Sequence, residues 1–220
     1  MDRVTEILQR FKGISLCQLV DGLGNSCKLE NGIEPIDPQF RIRGPALTVS
    51  CAPNDNLTVH HALQIAKPGE VLMVSAGGYC GAALWGELMS LSAQTKGLGG
   101  TIIDGAARDP LEIKALGYPV FSRSITARRA NKEKYGSIGT AIKCGKLEVN
   151  QGDIIFADIN GIVAVPATQL EEALRLALKI MEKESDIKVQ VREGRTIFEV
   201  LDLEGSVPPG SLISKRDSDS

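Results

Sequence analysis

SAGGYCGAALWGELMSLSAQTKGLGGTIIDGAARDPLEIKALGYPVFSR, residues 75–123, contains two places where a strand gives way to a helix. The glycines Gly77, Gly78 and Gly81 open the first. A helix is expected after them, with Leu84, Leu88 and Leu91 on one face and the glycine-rich segment 97–100 as its stop. A short apolar strand follows at 101–103. The chain then turns through 104–110, where Asp109 as cap, Pro110 at the first helical position and Glu112 at the third predict a capping box. Arg108 and Asp109 therefore fall between a strand's carboxyl end and a helix start. Ligands of open α/β sheets bind at such points, because free N–H groups and the positive end of the helix dipole converge there.

Working outward, the same alternation repeats. A strand at 46–51 precedes a helix that Asn56 can cap, carrying Val59, Ala62, Leu63 and Ala66 and stopped by Pro68 and Gly69. The apolar run 71–74 is the type of strand buried on both faces. Together with the central helix, strand 101–103, helix 110–116 and strand 120–121, these make three consecutive β-α-β units. The fold class is α/β, a parallel sheet flanked by helices. Upstream, Val4, Ile7, Leu8 and Phe11 form an amphipathic helix ended by Gly13. Ser15 and Gln18 form a capping box for a second helix with Leu16, Leu19, Val20 and Leu23 on its apolar face, and Asp21 beside that face. Residues 31–43 read as an irregular connection. Downstream, 140–149 and 153–166 read as an adjoining β-rich lobe, with Asn160-Gly161 as a type I′ hairpin signal. Thr168 and Glu171 open a last helix with a stripe at Leu170, Leu174, Ala177 and Met181. The next position on that stripe is Glu184, which either ends the stripe or has a role of its own.

Composition narrows the function. The 220 residues are 43% hydrophobic and only 4% aromatic, enough for one sizeable aliphatic core, and 1–213 is expected to be a single domain with a disordered tail at 214–220. A net charge of −2 with scattered Lys and Arg excludes the basic footprint of a nucleic-acid or anionic-membrane binder. The partner is expected to be a small molecule or a protein. Five cysteines without a C-x-x-C pair read as reduced thiols. No signal-peptide build opens the chain, and no apolar run approaches the ~18 residues of a membrane helix, so a cytoplasmic location is expected.

Within the central stretch the residue types favour anion chemistry. The planar fork of Arg108 suits a carboxylate or a developing enolate oxygen. The plainer reading is an ion pair with Asp104 or Glu112, and Asp109 has a sufficient role as a helix cap. Glu87 sits beside them through the packing of adjacent strands. The glycines at 77, 78 and 81 lack the dinucleotide spacing. His60 and His61, the only histidines, point about 100° apart on a helix and make poor joint zinc ligands. A metal here would be hard and oxygen-bound, magnesium or manganese.

The segment GELMSLSAQTKGLGGTIIDGAARD, with Gly86-Glu87 and Arg108-Asp109 separated by twenty residues, resembles the RraA-like family, which includes the 4-hydroxy-4-methyl-2-oxoglutarate aldolases. LVDGLG around Asp21, RGPALTV from Arg43, DNLTVHHALQIAKPGEVLMV from Asp55 and GDIIFADINGIVAVP from Gly152 extend the resemblance over most of the chain. It implies a swivelling β/β/α fold, a homotrimer or homohexamer, and sites between subunits. It further implies a metal-dependent aldolase with oxaloacetate decarboxylase activity. Arg108 would hold the pyruvyl part of a small 2-oxo acid substrate, Asp109 would bind Mg2+ or Mn2+, and Gly86, Glu87 and the amides of Leu88 and Met89 would line the carboxylate site. Glu87 stands where the family often has Asp. Asp21 and Glu184 match acidic positions that reach the site from a neighbouring subunit. The alternative implied by the same resemblance is a protein-binding regulator of ribonuclease E.

Overall fold

A computed structural model describes residues 3–24 and 28–208. Helices α1 (Arg3–Arg10) and α2 (Leu16–Leu23) open the chain, followed by β1 (Leu29–Glu30), β2 (Glu34–Pro35), β3 (Ile42–Ser50), α3 (Leu57–Ile65), β4 (Val71–Trp85), α4 (Glu87–Thr95), β5 (Gly100–Ala107), α5 (Pro110–Leu116) and β6 (Val120–Ile125). The remainder is β7 (Ser137–Ile138), β8 (Ile142–Cys144), β9 (Leu147–Val149), β10 (Ile154–Asp158), β11 (Gly161–Val165), α6 (Leu170–Arg192) and α7 (Ile197–Val200). Strands β3, β4, β5 and β6 pair in parallel, in sequence order, as the three β-α-β units require. The expected α/β class with a β/β/α architecture is what the chain adopts.

Of the β-rich half, β10 and β11 are part of the same sheet, whereas β8 and β9 pair as a separate two-stranded sheet. Strand β3 gives residues 42–45 to antiparallel β10 on one side and residues 46–50 to parallel β4 on the other, so one strand carries both halves. The path β1-β11-β10-β3-β4-β5-β6-β2 ends on two strands joined by only residues 31–33, which brings the sheet close to closure. The expected irregular connection at 31–43 thus contains an edge strand, and β3 begins before Gly44 and Pro45. Two cores result. The larger lies among the sheet, α3, α4 and α5, and includes Leu72, Met73, Ile102, Ile103, Trp85 and Phe121. The smaller packs Phe11, Leu16, Leu19, Leu170, Leu174 and Ala177 of the terminal helices against Ile154, Phe156, Val163 and Val165.

Several local expectations are met. The capping box of Ser15 and Gln18 forms in full, and Gly24 ends α2. Others are corrected. Leu84 lies in β4, which runs on to Trp85 with shifts in register opposite β5, and α4 starts only at Glu87. Its buried face is Met89, Ser90 and Ala93, whereas Leu88 is 75% exposed and Leu91 is also exposed. The 3–4 spacing of these leucines crossed a strand boundary that Gly86 imposes. Residues 104–107 are strand instead of turn. Asp104 is thereby buried, paired with Arg123 and hydrogen-bonded from the Gly145 N–H at 3.0 Å, and it does not reach Arg108. The β10–β11 hairpin exists, but Asp158 pairs with Gly161, so its turn is Ile159-Asn160. Neither turn residue has a positive φ, which excludes type I′. At α6 the cap position is Gln169 without a side-chain bond, and Glu171 pairs with Arg3 instead of closing a box with Thr168. The tail 214–220 and Cys27 lie outside the described residues. Cys51 and Cys144 are buried free thiols, the former pushed up to about 12 by burial.

Candidate active site

Parallel pairing places the end of β4 beside the end of β5, and a cavity of about 240 Å³ opens where both strands give way to helices. Arg108 donates its N–H to the Trp85 carbonyl at 3.0 Å, tying the two ends together. Trp85 is buried. Its Nε1 donates to Ser90 Oγ at 2.7 Å, and Ser90 Oγ donates to the Gly86 carbonyl at 3.0 Å, which fixes the first turn of α4.

Asp109 departs from the cap geometry expected of it. Its backbone is left-handed, φ 55 and ψ 50, a conformation that non-glycine residues adopt at a cost, and its side chain does not cap α5. The predicted box with Glu112 is absent because this backbone turns the carboxylate across to α4. There Oδ2 accepts the Glu87 N–H at 3.1 Å and the Arg108 Nε–H at 3.1 Å. Among the described residues Oδ1 accepts no hydrogen bond. Gly86 makes the crossing possible, since a Cβ there would stand 2.7 Å from Asp109 Oδ2 and 2.9 Å from Arg108 Cγ.

With the Glu87 N–H taken by Asp109 and the Ser90 N–H bonded to the Gly86 carbonyl, the amides of Leu88 and Met89 are, among the described residues, the free donors of the first helical turn. Gly86, Glu87, Leu88, Met89, Arg108 and Asp109 all line the cavity. The cluster read from the sequence is therefore assembled within one chain. Asp21 and Glu184 are elsewhere. Asp21 is exposed on α2, while Glu184 on α6 accepts from Gln18 Nε2 at 2.8 Å and Lys188 Nζ at 3.3 Å. The Gln18 bond, aided by Lys188, holds the Glu184 carboxyl below its usual range. Neither residue lines the cavity.

Four polar lining residues are not among the site residues read from the sequence: Asn56, His60, Arg129 and Lys132. Asn56 occupies the expected cap position of α3, but Asp55 makes the capping bond, accepting the Leu57 N–H at 3.0 Å. The Asn56 amide instead donates to the Leu84 carbonyl at 3.0 Å. His60 lies one turn further along α3, and burial, then the charge of Lys132, lowers its pKa. His61 faces away, exposed and bonded to Tyr135 at 2.6 Å. An i, i+4 pair of polar residues facing a helix's buried side was the available signal.

The donor set fits a hard divalent cation. Asp109 offers a carboxylate oxygen free of other bonds, and Glu87 is a second carboxylate in the same wall. Among the described residues no three His, Cys, Asp or Glu side chains cluster as a closed protein cage. Such a cation would be held through Asp109, with its other positions left to water and substrate.

The RraA-like family model, described as Aldolase/RraA, matches residues 16–164. A Halalkalibacterium halodurans protein provisionally named a 4-hydroxy-4-methyl-2-oxoglutarate aldolase is 34% identical over 85% of this chain and 88% of its own. A structure from Pseudomonas syringae pv. tomato, titled as an uncharacterized protein, superposes with a TM-score of 0.83 at 25% identity, covering 90% of this chain and 93% of that one. Streptomyces coelicolor RraAS2, titled an unusual member of the RNase ES inhibitor RraA family, gives 0.77 at 23% identity over 84% and 98% of the two chains, a likeness of fold.

Proposed function

Because this chain belongs to the RraA-like family, we propose that it is a carbon–carbon lyase that cleaves 4-hydroxy-2-oxo acids, of the 4-hydroxy-4-methyl-2-oxoglutarate type, to pyruvate, and that it decarboxylates oxaloacetate at the same site. The observation that carries this reading is the meeting of the Arg108 guanidinium, the Asp109 carboxylate and the free amides of Leu88 and Met89 in one cavity. A 2-oxo acid presents a carboxylate and an adjacent keto oxygen. The two amides at the positive end of α4 suit the carboxylate, and Arg108 suits the keto oxygen.

When the C3–C4 bond breaks, its electron pair enters the keto group and leaves an enolate oxygen. Arg108 gains most from that charge, so it binds the transition state more tightly than the ground state. A Mg2+ or Mn2+ ion held by Asp109 would supply Lewis-acid stabilisation of the same oxygen. In aldol cleavage the C4 hydroxyl proton passes to water, C4 leaves as a carbonyl, and the enolate takes a proton from water at C3. In oxaloacetate the leaving carbon is carbon dioxide, and protonation at C3 then gives pyruvate. Arg129 and Lys132 at the rim bring positive charge to the far end of the ligand, which favours substrates with a second carboxylate.

Neither Asp21 nor Glu184 lines the cavity within one chain; on the family resemblance they would enter it from a neighbouring subunit in a trimer or hexamer. The competing reading, a regulator of ribonuclease E, would use an outer surface, and the exposed Ile197, Phe198 and Leu201 near the end of the described chain supply apolar area for one. Pyruvate release separates the two. With oxaloacetate or 4-hydroxy-2-oxoglutarate, release is expected to cease in chelator and return with magnesium or manganese. Persistence in chelator, with a lysine adduct trapped by borohydride, would replace this mechanism with a Schiff-base one.

A further inference from the structure

Two polar atoms in this cavity's lining residues have no partner among the described residues: Asn56 Oδ1 and His60 Nε2 are both buried without a hydrogen bond. Asn56 is only 7% exposed, and its Nδ2 is committed to the Leu84 carbonyl, which fixes the amide orientation and leaves the oxygen over. Helix capping does not account for it, because Asp55 caps α3. His60 stands one turn further along, its own N–H bonded to the Asn56 carbonyl at 3.1 Å. Burying such groups unpaired is costly, and native folds rarely do so without a reason.

The chemistry of the missing partner follows from the atoms. An amide oxygen only accepts, so it requires a ligand that donates. The carboxylates and keto oxygen of a 2-oxo acid are acceptors. The C4 hydroxyl is the one donor that a 4-hydroxy-2-oxo acid adds. A hydroxyl also accepts, so it can donate its proton to the amide oxygen while its own oxygen accepts from the imidazole, which requires the tautomer with the proton on His60 Nε2. We propose that Asn56 Oδ1 and His60 Nε2 bind the C4 hydroxyl of the substrate and make this cavity select aldol substrates over 2-oxo acids that lack it. The proposal rests on the enolate chemistry assigned to Arg108 and Asp109. It adds a positioning role, since C3–C4 must stand perpendicular to the plane of the keto group for its electrons to enter the enolate. Anchoring the C4 oxygen sets that rotation. Burial, then the nearby Lys132 charge, lowers the His60 pKa and so favours the neutral imidazole.

Asn56→Leu and His60→Leu, compared with the parent protein in magnesium, test this through the ratio of kcat/KM for 4-hydroxy-2-oxoglutarate to that for oxaloacetate. Each change is expected to lower the ratio about tenfold or more, as a site built for a hydroxyl loses its preference. An unchanged ratio, with both activities falling together, would overturn the proposal and make the residues structural. Should Asn56→Leu fail to fold, His60→Leu carries the same comparison. Thermal-shift titration in chelator, with 4-hydroxy-2-oxoglutarate against 2-oxoglutarate, reads recognition without turnover. The parent should be stabilised more by the hydroxylated ligand and the variants should lose that difference. A parent without the preference contradicts the proposal. A parent with the preference that turns over neither substrate contradicts the enolate chemistry and leaves hydroxyl recognition standing.

Discussion

Gly86 is the residue on which the site's geometry turns. An alanine there would press its Cβ against Asp109 Oδ2 and Arg108 Cγ, at 2.7 and 2.9 Å, in a place where neither can retreat without leaving the Glu87 N–H or the cavity. Gly86→Ala is expected to fold and to lose roughly a hundredfold in turnover, the scale of effect that an ångström of misplacement produces. Steady-state rates beside a thermal melt check this; turnover within threefold of the parent would show that the contact does not shape the site. The same neighbourhood shows what a sequence can and cannot disclose. The pair Arg108-Asp109 was legible because a strand, a turn and Pro110 bracket it. The direction of the Asp109 carboxylate was not, since a left-handed backbone on a residue that reads as an ordinary cap has no composition signal. Asn56 was misassigned for a related reason: two adjacent cap-forming residues, Asp55 and Asn56, competed for one job, and only the fold decided.

Among the elements, the parallel order β3 to β6 could be read because each strand is an apolar run and each helix between them carries a start or stop signal. The extension of β4 to Trp85 and of β5 to Ala107 could not. Glycines and small residues there carry no strand preference, and partners across the sheet hold them extended. Asp104, placed in a turn by its flanking glycine, is instead buried in β5. With Glu30 from β1 it faces Arg123 of β6, and the two carboxylates also take the amides of Gly145 and Lys146, which ties the β8–β9 hairpin to the sheet. Removing the cation would leave two buried carboxylates uncompensated. Arg123→Ala is expected to cost about 3–5 kcal/mol and to lower Tm by about 10 °C. A melt within 2 °C of the parent would mean that the backbone amides alone suffice.

At the scale of the whole molecule, the described chain leaves Asp21 exposed on α2 and Glu184 on α6 bonded to Gln18 and Lys188, both apart from the cavity. No local pattern announces an assembly, which is why their role rests on family resemblance and on a ring with shared sites. Co-assembly provides the check. Arg108→Ala and Glu184→Ala subunits are each expected to be nearly inactive. Random mixing into trimers makes about a quarter of interfaces whole, since each whole site needs one intact side from either parent. Activity of the mixture should approach that fraction of wild type. Full activity of Glu184→Ala alone, or of a sedimenting monomer, would return both carboxylates to surface roles.

That this cavity stabilises the enolate of pyruvate can be tested without knowing the physiological substrate. Pyruvate itself, incubated with the protein and magnesium in deuterium oxide, should lose its methyl proton signal in the NMR spectrum as the enolate forms and is quenched by deuterium. Arg108→Lys, which keeps the charge but loses the fork, should slow that exchange by roughly a hundredfold or more while melting like the parent. Exchange no faster than in buffer, from a folded parent with magnesium present, would contradict the claim.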